Sequence, residues 1–245
     1  MQKKICIVIP ARLGSTRLPE KALADIHGKP MIVRVLERAR QINGVHEIIV
    51  ATDHERIVAA VEAAGGTAVM TPDSLQSGTD RVAFVANERT ADIFVNVQGD
   101  EPLLDPKAVE RTLALIEGGR FTMATPAAPI RHRDDLKNSN IVKVLVASDG
   151  RAAYFSRFPI PYSRGDIPAD LGALAPLQHI GVYAYTRETL LKFWKLERTT
   201  WEVAESLEQL RALYHGIPIG VALTEKASTG VDTIEDLERV RSLMV

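Results

Sequence analysis

Three permanent cations, Arg12, Arg17 and Lys21, lie within ten residues of one another, interleaved with Gly14, Ser15 and Thr16. They come after an apolar run, Ile5 to Ile9, that is β-branched at most positions and reads as a strand buried on both faces. In open α/β sheets, ligands bind beyond the carboxyl ends of such strands. Glycine lets backbone amides approach an anion, and Arg forks match phosphate oxygens two at a time. The stretch ICIVIPARLGSTRLPEK therefore reads as a polyphosphate cradle, with a solvated basic loop as the plainer alternative.

Acids that could complement it come from two distant places. Asp100 and Glu101 end the segment VNVQGDEP, just past another buried strand. A carboxylate there is suited to Mg²⁺, which takes a few carboxylates together with phosphate oxygens and water. An ordinary turn with solvated acids is the alternative. Asp232, in STGVDT, is a second candidate, or else a plain helix cap. Gln76-Ser77-Gly78-Thr79-Asp80-Arg81 is a polar loop before a helix whose amides and hydroxyls could read a base or sugar, though capping sequences look alike. Arg157, His179, Tyr183, Glu208 and Gln209 are polar residues on otherwise apolar elements, a pattern more common for structural hydrogen bonding than for ligand contact. The histidines lack metal spacing. Neither GxxxxGK[ST] nor GxGxxG after the first strand occurs, which argues against a P-loop and against a usual dinucleotide site.

Periodicity supplies the elements that must position these groups. After a turn at Ile26–Pro30, a helix runs to about Gln41. A strand comes next over Val45–Ala51, with Thr52-Asp53 as the cap of a helix from about Glu55 to Ala64. Beyond these lie a strand at Thr67–Met70, a helix at Gly78–Glu88, a strand at Asp92–Val97 and a helix from Asp105-Pro106 to about Ile116. This alternation predicts a right-handed, mainly parallel sheet with helices on both faces. Farther on, strands of mixed direction are expected at Met123–Ile130, Ile141–Ala147 and Ala152–Phe155. Pro159–Pro176 reads as a loop or lid. His179–Tyr185 (HIGVYAY) alternates as one strand with His179 and Tyr183 on the same face. Trp201–Tyr214 reads as one amphipathic helix, Ile217–Leu223 as a strand, and Thr233–Met244 as a closing helix capped by Asp232 or Thr233. The simplest layout is one domain, residues 1–245, with an inserted β-rich lobe at roughly 125–215.

Bulk composition narrows the classes. With 46% hydrophobic and 25% charged residues, 245 residues are ordinary for a globular chain, and a net charge of −1 implies no nucleic-acid-binding surface. The single cysteine, Cys6, cannot form a disulfide within one chain. No signal-like h-region and no apolar run near the about 20 residues needed to cross a bilayer is evident, so a cytoplasmic protein without a membrane partner is expected.

Taken in order, IPAR-x-x-STRLP-x-K, ATDHE, AVEAAGG, QSGTDR, VNVQGDEP, YFSR, LEQLRAL and GVDT-x-EDLERVR resemble the 3-deoxy-manno-octulosonate cytidylyltransferases, the CMP-Kdo synthetases. The resemblance runs from about Ile7 to Arg241. No single motif decides it; the ordered set does.

The resemblance implies a Rossmann-like nucleotide-diphospho-sugar transferase fold and a homodimer. It implies a reaction of CTP with 3-deoxy-D-manno-octulosonate (Kdo) that gives CMP-Kdo and pyrophosphate with Mg²⁺, for lipopolysaccharide biosynthesis. Arg12, Ser15, Arg17 and Lys21 would grip the CTP phosphates. Gln76, Ser77, Gly78, Thr79 and Arg81 would lie along the nucleotide, and Asp100 and Asp232 would hold the metal. By the same resemblance Arg12, Lys21, Asp100 and Asp232 would form the catalytic set. Gln98, Arg157, His179, Tyr183, Glu208 and Gln209 would bind Kdo, with Arg157 and His179 as charge partners of its carboxylate. Two departures stand out. The usual LPGKPL reads LPEKAL here, so Glu20 must turn away from the cradle. The usual PNAVKVV reads SNIVKVL. A sister group acting on 8-amino-Kdo tends to carry GDQP and ASGTD, and Glu101 and Gln76 at those places favour ordinary Kdo.

Overall fold

A computed structural model describes residues 3–15, 17–164 and 176–244. The described chain is α/β, and its packing divides it into two compact units: residues 1–110, 185–194 and 228–245, and residues 111–184 and 195–227.

The first unit is built on β1 (Ile5–Ala11), every residue of which is buried. A 3₁₀ turn (Lys21–Leu23) and a small antiparallel hairpin of β2 (Asp25–Ile26) and β3 (Lys29–Pro30) lead into α1 (Met31–Ala39). His27 and Gly28 turn that hairpin at positive φ, 50° and 78°. Helix α1 buries Met31, Ile32, Val35, Leu36 and Ala39 along one stripe, as the 3.6-residue period predicts. The chain continues through β4 (Glu47–Thr52), α2 (Glu55–Ala63), β5 (Thr67–Met70), α3 (Gly78–Glu88) and β6 (Ile93–Asn96). The strands pair in the order β5-β4-β1-β6, all parallel. The expected α/β alternation is therefore present, and β1 lies between two neighbours, which is why it is apolar on both faces.

Helix α4 (Pro106–Glu117) carries the chain from the first unit into the second. There it forms β7 (Met123–Pro129), the short α5 (Arg133–Lys137), β8 (Lys143–Val146), β9 (Ala152–Ser156) and β10 (Leu177–His179). Strand β10 lies antiparallel between β7 and β8, and β8 pairs antiparallel with β9. Mixed direction is thus as expected. The loop or lid reading at Pro159–Pro176 falls largely on residues 165–175, outside the described residues.

HIGVYAY is not one strand. It is β10 up to His179, a break at Ile180–Val182, and β11 (Tyr183–Thr186). Val182 donates to the Ile180 carbonyl at 2.7 Å, a tight local turn that alternation does not reveal. Helix α6 (Arg187–Trp194), in the first unit, has no counterpart among the elements expected from periodicity. The expected Trp201–Tyr214 helix is two helices, α7 (Thr200–Glu205) and α8 (Gln209–Tyr214). Ser206 takes φ 52° between them and stops the first. A buried fork joins the pieces: Arg211 Nε lies 2.8 Å from Glu202 Oε2 and its Nη2 lies 2.6 Å from Oε1. Strand β12 (Ile219–Leu223) then pairs parallel with β7.

The chain closes in the first unit with α9 (Ile234–Leu243), whose cap is Thr233, not Asp232. Thr233 and Asp236 form a reciprocal capping box, leaving the Asp232 side chain free of that duty. Likewise α2 is capped by His54 Nδ1, which accepts from Arg56 N–H at 3.2 Å, not by Thr52 or Asp53. The Asp53 carboxylate serves the cationic loop and Arg81 instead.

Candidate active site

The end of β1, the end of β6 and the segment before α9 open onto one cleft of about 300 Å³ in the first unit. Arg12, Gly14, Ser15, Arg17 and Lys21 line it, with Gln76, Ser77, Gly78 and Arg81 from the start of α3. Gln98, Gly99, Asp100 and Asp232 complete the polar wall. The groups expected at a nucleotide site thus converge, except for Thr79. Thr79 is buried in α3 and is not part of the lining. Gln98, expected at the sugar, lines this same cleft and donates to Asn96 Oδ1 at 3.1 Å.

Local packing explains the convergence. Ile26 and Met31, just after the cationic loop, share a buried cluster with Val231, Leu237 and Val240 of the C-terminal segment. Val231 also donates its backbone N–H to the Asp100 carbonyl at 2.9 Å. Asp232 is therefore delivered beside Asp100 by an apolar anchor and one main-chain bond. Gly99 lets the chain pass closely: a Cβ there would stand 2.7 Å from the Pro10 carbonyl oxygen.

Electrostatics centre on Lys21. Its Nζ lies 2.5 Å from Asp100 Oδ2 and 3.1 Å from Asp232 Oδ1, and Arg17 Nη2 reaches the same Asp232 oxygen at 3.0 Å. Lys21 is the most shielded of these groups, with a side chain 18% exposed, whereas Arg17 is 60% exposed. Next to Asp100 in the chain, the Glu101 carboxyl is buried near the Ser228 hydroxyl. Burial first, and the charges of Asp100 and Asp232 after it, push the Glu101 carboxyl up to about 7 against the lowering influence of the Ser228 hydroxyl. Two carboxylates, Asp100 and Asp232, thus face one cleft side by side and are exchangeable between cationic side chains and a metal ion. The pair suits a divalent cation that also takes phosphate and water oxygens. Among the described residues no cluster of three or more His, Cys, Asp or Glu residues forms a self-sufficient metal cage.

Several members of the cleft are supports. Ser77 and Asp80 form the capping box of α3, and Trp194 Nε1 donates to Asp80 Oδ1 at 3.1 Å. The Arg81 guanidinium donates to Asp53 Oδ2 at 2.7 Å and also bonds the Thr71 hydroxyl. The other Asp53 oxygen accepts from the Leu13 backbone N–H at 3.3 Å. Arg81 is thus tied to the cationic loop through Asp53. Residue pattern alone puts Arg81 on the nucleotide and gives Asp53 only a capping role. Glu20 does turn away: its carboxylate is forked by Arg56 of α2, and it takes no part in the lining.

The remaining residues expected at the sugar belong to the second unit. The Arg157 guanidinium donates to the carbonyls of Glu205 (2.8 Å), Ser139 (3.0 Å) and Ser206 (3.3 Å), so several of its donors are taken by main-chain oxygens. His179 packs between Phe155 and Tyr183, with ring centroids 5.1 and 5.3 Å away, and its Nε2 lies 3.0 Å from the Thr125 hydroxyl. Burial pushes its imidazole down to about 3, so it is neutral at physiological pH and offers a hydrogen bond, not a charge. Glu208 lies 3.4 Å from Arg211, and the buried amide Nε2 of Gln209 has no partner. Lys143, the lysine of SNIVKVL, is fully buried and donates to the carbonyls of Asn138, Ile141 and Arg157 at 2.7–2.8 Å.

A mainly parallel sheet with phosphate-suited cations and paired acids beyond its carboxyl edge is a nucleotide-diphospho-sugar transferase fold. The cytidylyltransferase family model matches residues 6–226. A 3-deoxy-manno-octulosonate cytidylyltransferase of Anaeromyxobacter dehalogenans is 46% identical, covering 99% of this chain and 98% of that protein. The one from Neisseria gonorrhoeae is also 46% identical, over 97% and 96%. A solved CMP:2-keto-3-deoxy-manno-octonic acid synthetase complexed with CTP superposes with a TM-score of 0.91 at 45% identity, over 98% of both chains. A 4-diphosphocytidyl-2C-methyl-D-erythritol synthase from Anaerococcus prevotii shares the fold, at a TM-score of 0.65 and 12% identity, over 99% of this chain and 96% of that one. The chain belongs to the cytidylyltransferases, and among them to the 3-deoxy-manno-octulosonate cytidylyltransferase family.

Proposed function

We propose that the chain transfers CMP from CTP to the anomeric hydroxyl of Kdo, releasing pyrophosphate. The observation that carries this reading is the meeting of Lys21 with both Asp100 and Asp232 in a cleft lined by Arg12, Ser15 and Arg17. A triphosphate entering that cleft competes with the carboxylates for Lys21 and Arg17, and its charge is neutralised by Arg12, Arg17 and Lys21 together. The sugar hydroxyl attacks the α-phosphorus in line. As the new C–O–P linkage forms, the bond to pyrophosphate breaks and the hydroxyl proton leaves to water. The protein's part is placement and charge compensation, not a covalent intermediate.

Asp100 and Asp232, side by side on the cleft wall, are the groups that would hold Mg²⁺. When bound, that ion supplies Lewis-acid polarisation of the phosphate and lowers the pKa of the attacking hydroxyl. In the second unit, neutral His179, Tyr183, Glu208 and Gln209 are hydrogen-bonding groups for the sugar acid. Arg157, whose donors are committed to carbonyls, supports the same segment.

The reading includes a cytoplasmic homodimer that supplies activated sugar for lipopolysaccharide. For the dimer, the support is an exposed apolar face where Tyr154, Trp201 and Tyr214 pack edge to face and Val203 is 59% exposed. Light scattering on the purified chain tests it: a mass of one chain contradicts the dimer. Among the described residues no helix is long and apolar enough to cross a membrane. The test of the function is pyrophosphate release from CTP with Kdo, 8-amino-Kdo or a sialic acid as acceptor. Release dependent on Kdo and Mg²⁺ is expected; release only with another acceptor, or none at all, overturns the assignment.

A further inference from the structure

The 3₁₀ turn that carries Lys21 starts from a residue in an unfavourable conformation. Glu20 sits at φ 52°, ψ 32°, the left-handed region that side chains other than Gly and Asn rarely adopt. Its carbonyl nonetheless accepts the Leu23 N–H at 2.8 Å and closes the turn. The group that holds Glu20 there is outside the loop. Both carboxylate oxygens face the Arg56 guanidinium, one of them 2.9 Å from Nη2. Arg56 is itself fixed in the first turn of α2, where its N–H donates to the His54 cap. The bonding lowers the Glu20 carboxyl pKa, so the pair is fully charged at neutral pH. Three residues before Arg56, Asp53 holds the other limb of the loop through Leu13 N–H. The junction of β4 with α2 thus grips the cationic loop at both ends, yet Glu20 and Arg56 take no part in lining the cleft.

We propose that Arg56 is a positioning residue for nucleotide binding: by clamping Glu20 it keeps the strained turn closed and so holds Lys21 where a triphosphate meets it. This rests on the CTP-binding reading of the cleft. Glu20 and Arg56 are both about half exposed, with side chains 50% and 55% accessible, so changing them leaves the core untouched. An exposed pair of this kind has a small effect, and the expected rise in the CTP dissociation constant on Arg56→Ala is about twofold to fivefold.

The decisive experiment is a double-mutant cycle read by calorimetric titration with CTP, together with steady-state KM and kcat. Arg56→Ala should weaken CTP and raise its KM while kcat stays within about twofold, and Arg56→Lys should recover part of the loss. Glu20→Gly removes the strain, because glycine takes this conformation freely. In that background Arg56→Ala should change nothing further. Unaltered CTP binding by Arg56→Ala overturns the proposal. So does an equal loss in the Glu20→Gly background, since Arg56 would then act on the nucleotide directly. Calorimetry reads these outcomes without turnover, so failure of the unaltered chain to release pyrophosphate counts against sugar transfer alone.

Discussion

The backbone N–H of Val231 donates to the Asp100 carbonyl at 2.9 Å, and through that bond two acids far apart in sequence come to share the ammonium of Lys21. Asp232 is the next residue after Val231, and Val231 is anchored in the cluster with Ile26, Met31, Leu237 and Val240. The carboxylate pair is therefore a product of packing, and its chemistry can be altered without disturbing that packing.

Asp100→Asn and Asp232→Asn should each fold normally and lower turnover by about 100-fold or more, since each removes a carboxylate that would hold the divalent cation at the reacting phosphate. Pyrophosphate release at saturating CTP, beside thermal midpoints close to that of the unaltered chain, checks this. Turnover near the unaltered level in either variant removes that residue from the mechanism.

Gly99→Ala should be costly for a different reason. The added Cβ meets main chain, the Pro10 carbonyl oxygen at 2.7 Å, so the ends of β1 and β6 must separate. A loss of about 1–3 kcal/mol of stability is expected, with weaker CTP binding, because Arg12 and Asp100 ride on those two strand ends. Denaturant unfolding and CTP titration of the variant check both parts.

In the second unit, Arg211→Met should cost about 3 kcal/mol, since it leaves the Glu202 carboxylate, whose side chain is 5% exposed, with the solvent-exposed Arg198 at 3.4 Å in place of the buried fork. Replacing Glu202 by Leu as well should recover most of that loss. Chemical denaturation of the single and double variants checks the coupling. Equal stability of Arg211→Met and the unaltered chain contradicts the buried fork.

His179 gives a pH dependence of stated sign. Its folded pKa lies below the ordinary 6.5, at about 3, so between those values the unfolded chain binds the extra proton. Its contribution to stability is complete above about 6.5 and is lost as pH falls towards 3. The thermal midpoint should therefore drop with acidification through that window, and His179→Gln should flatten the drop. A parallel decline in the variant contradicts the assignment.

Much of the first unit is legible in the sequence because its signals are strong and local. The unbroken apolar run of β1, the run of β6 and the acids of VNVQGDEP mark buried strands and the ligand-facing turns at their carboxyl ends. The features that pattern misses turn on single residues. Ser206 at φ 52° divides α7 from α8, though the apolar period continues across it. Val182 turns back on Ile180 and splits an alternating segment. Asp53 reads as a cap because a Thr-Asp pair before a helix usually is one. Only the fold reveals that Leu13 and Arg81 claim it first. The surroundings of Arg157 and His179 are hidden in the same way: residue type does not show that carbonyls surround one and aromatic rings the other.

The most direct test of the account is a crystal structure of the chain with CTP, Mg²⁺ and an inert Kdo analogue. The account predicts one magnesium ion coordinated by both Asp100 and Asp232, with Lys21 Nζ moved from the carboxylates onto phosphate oxygens. An ion bound by neither aspartate, or by one while the other stays on Lys21, contradicts it.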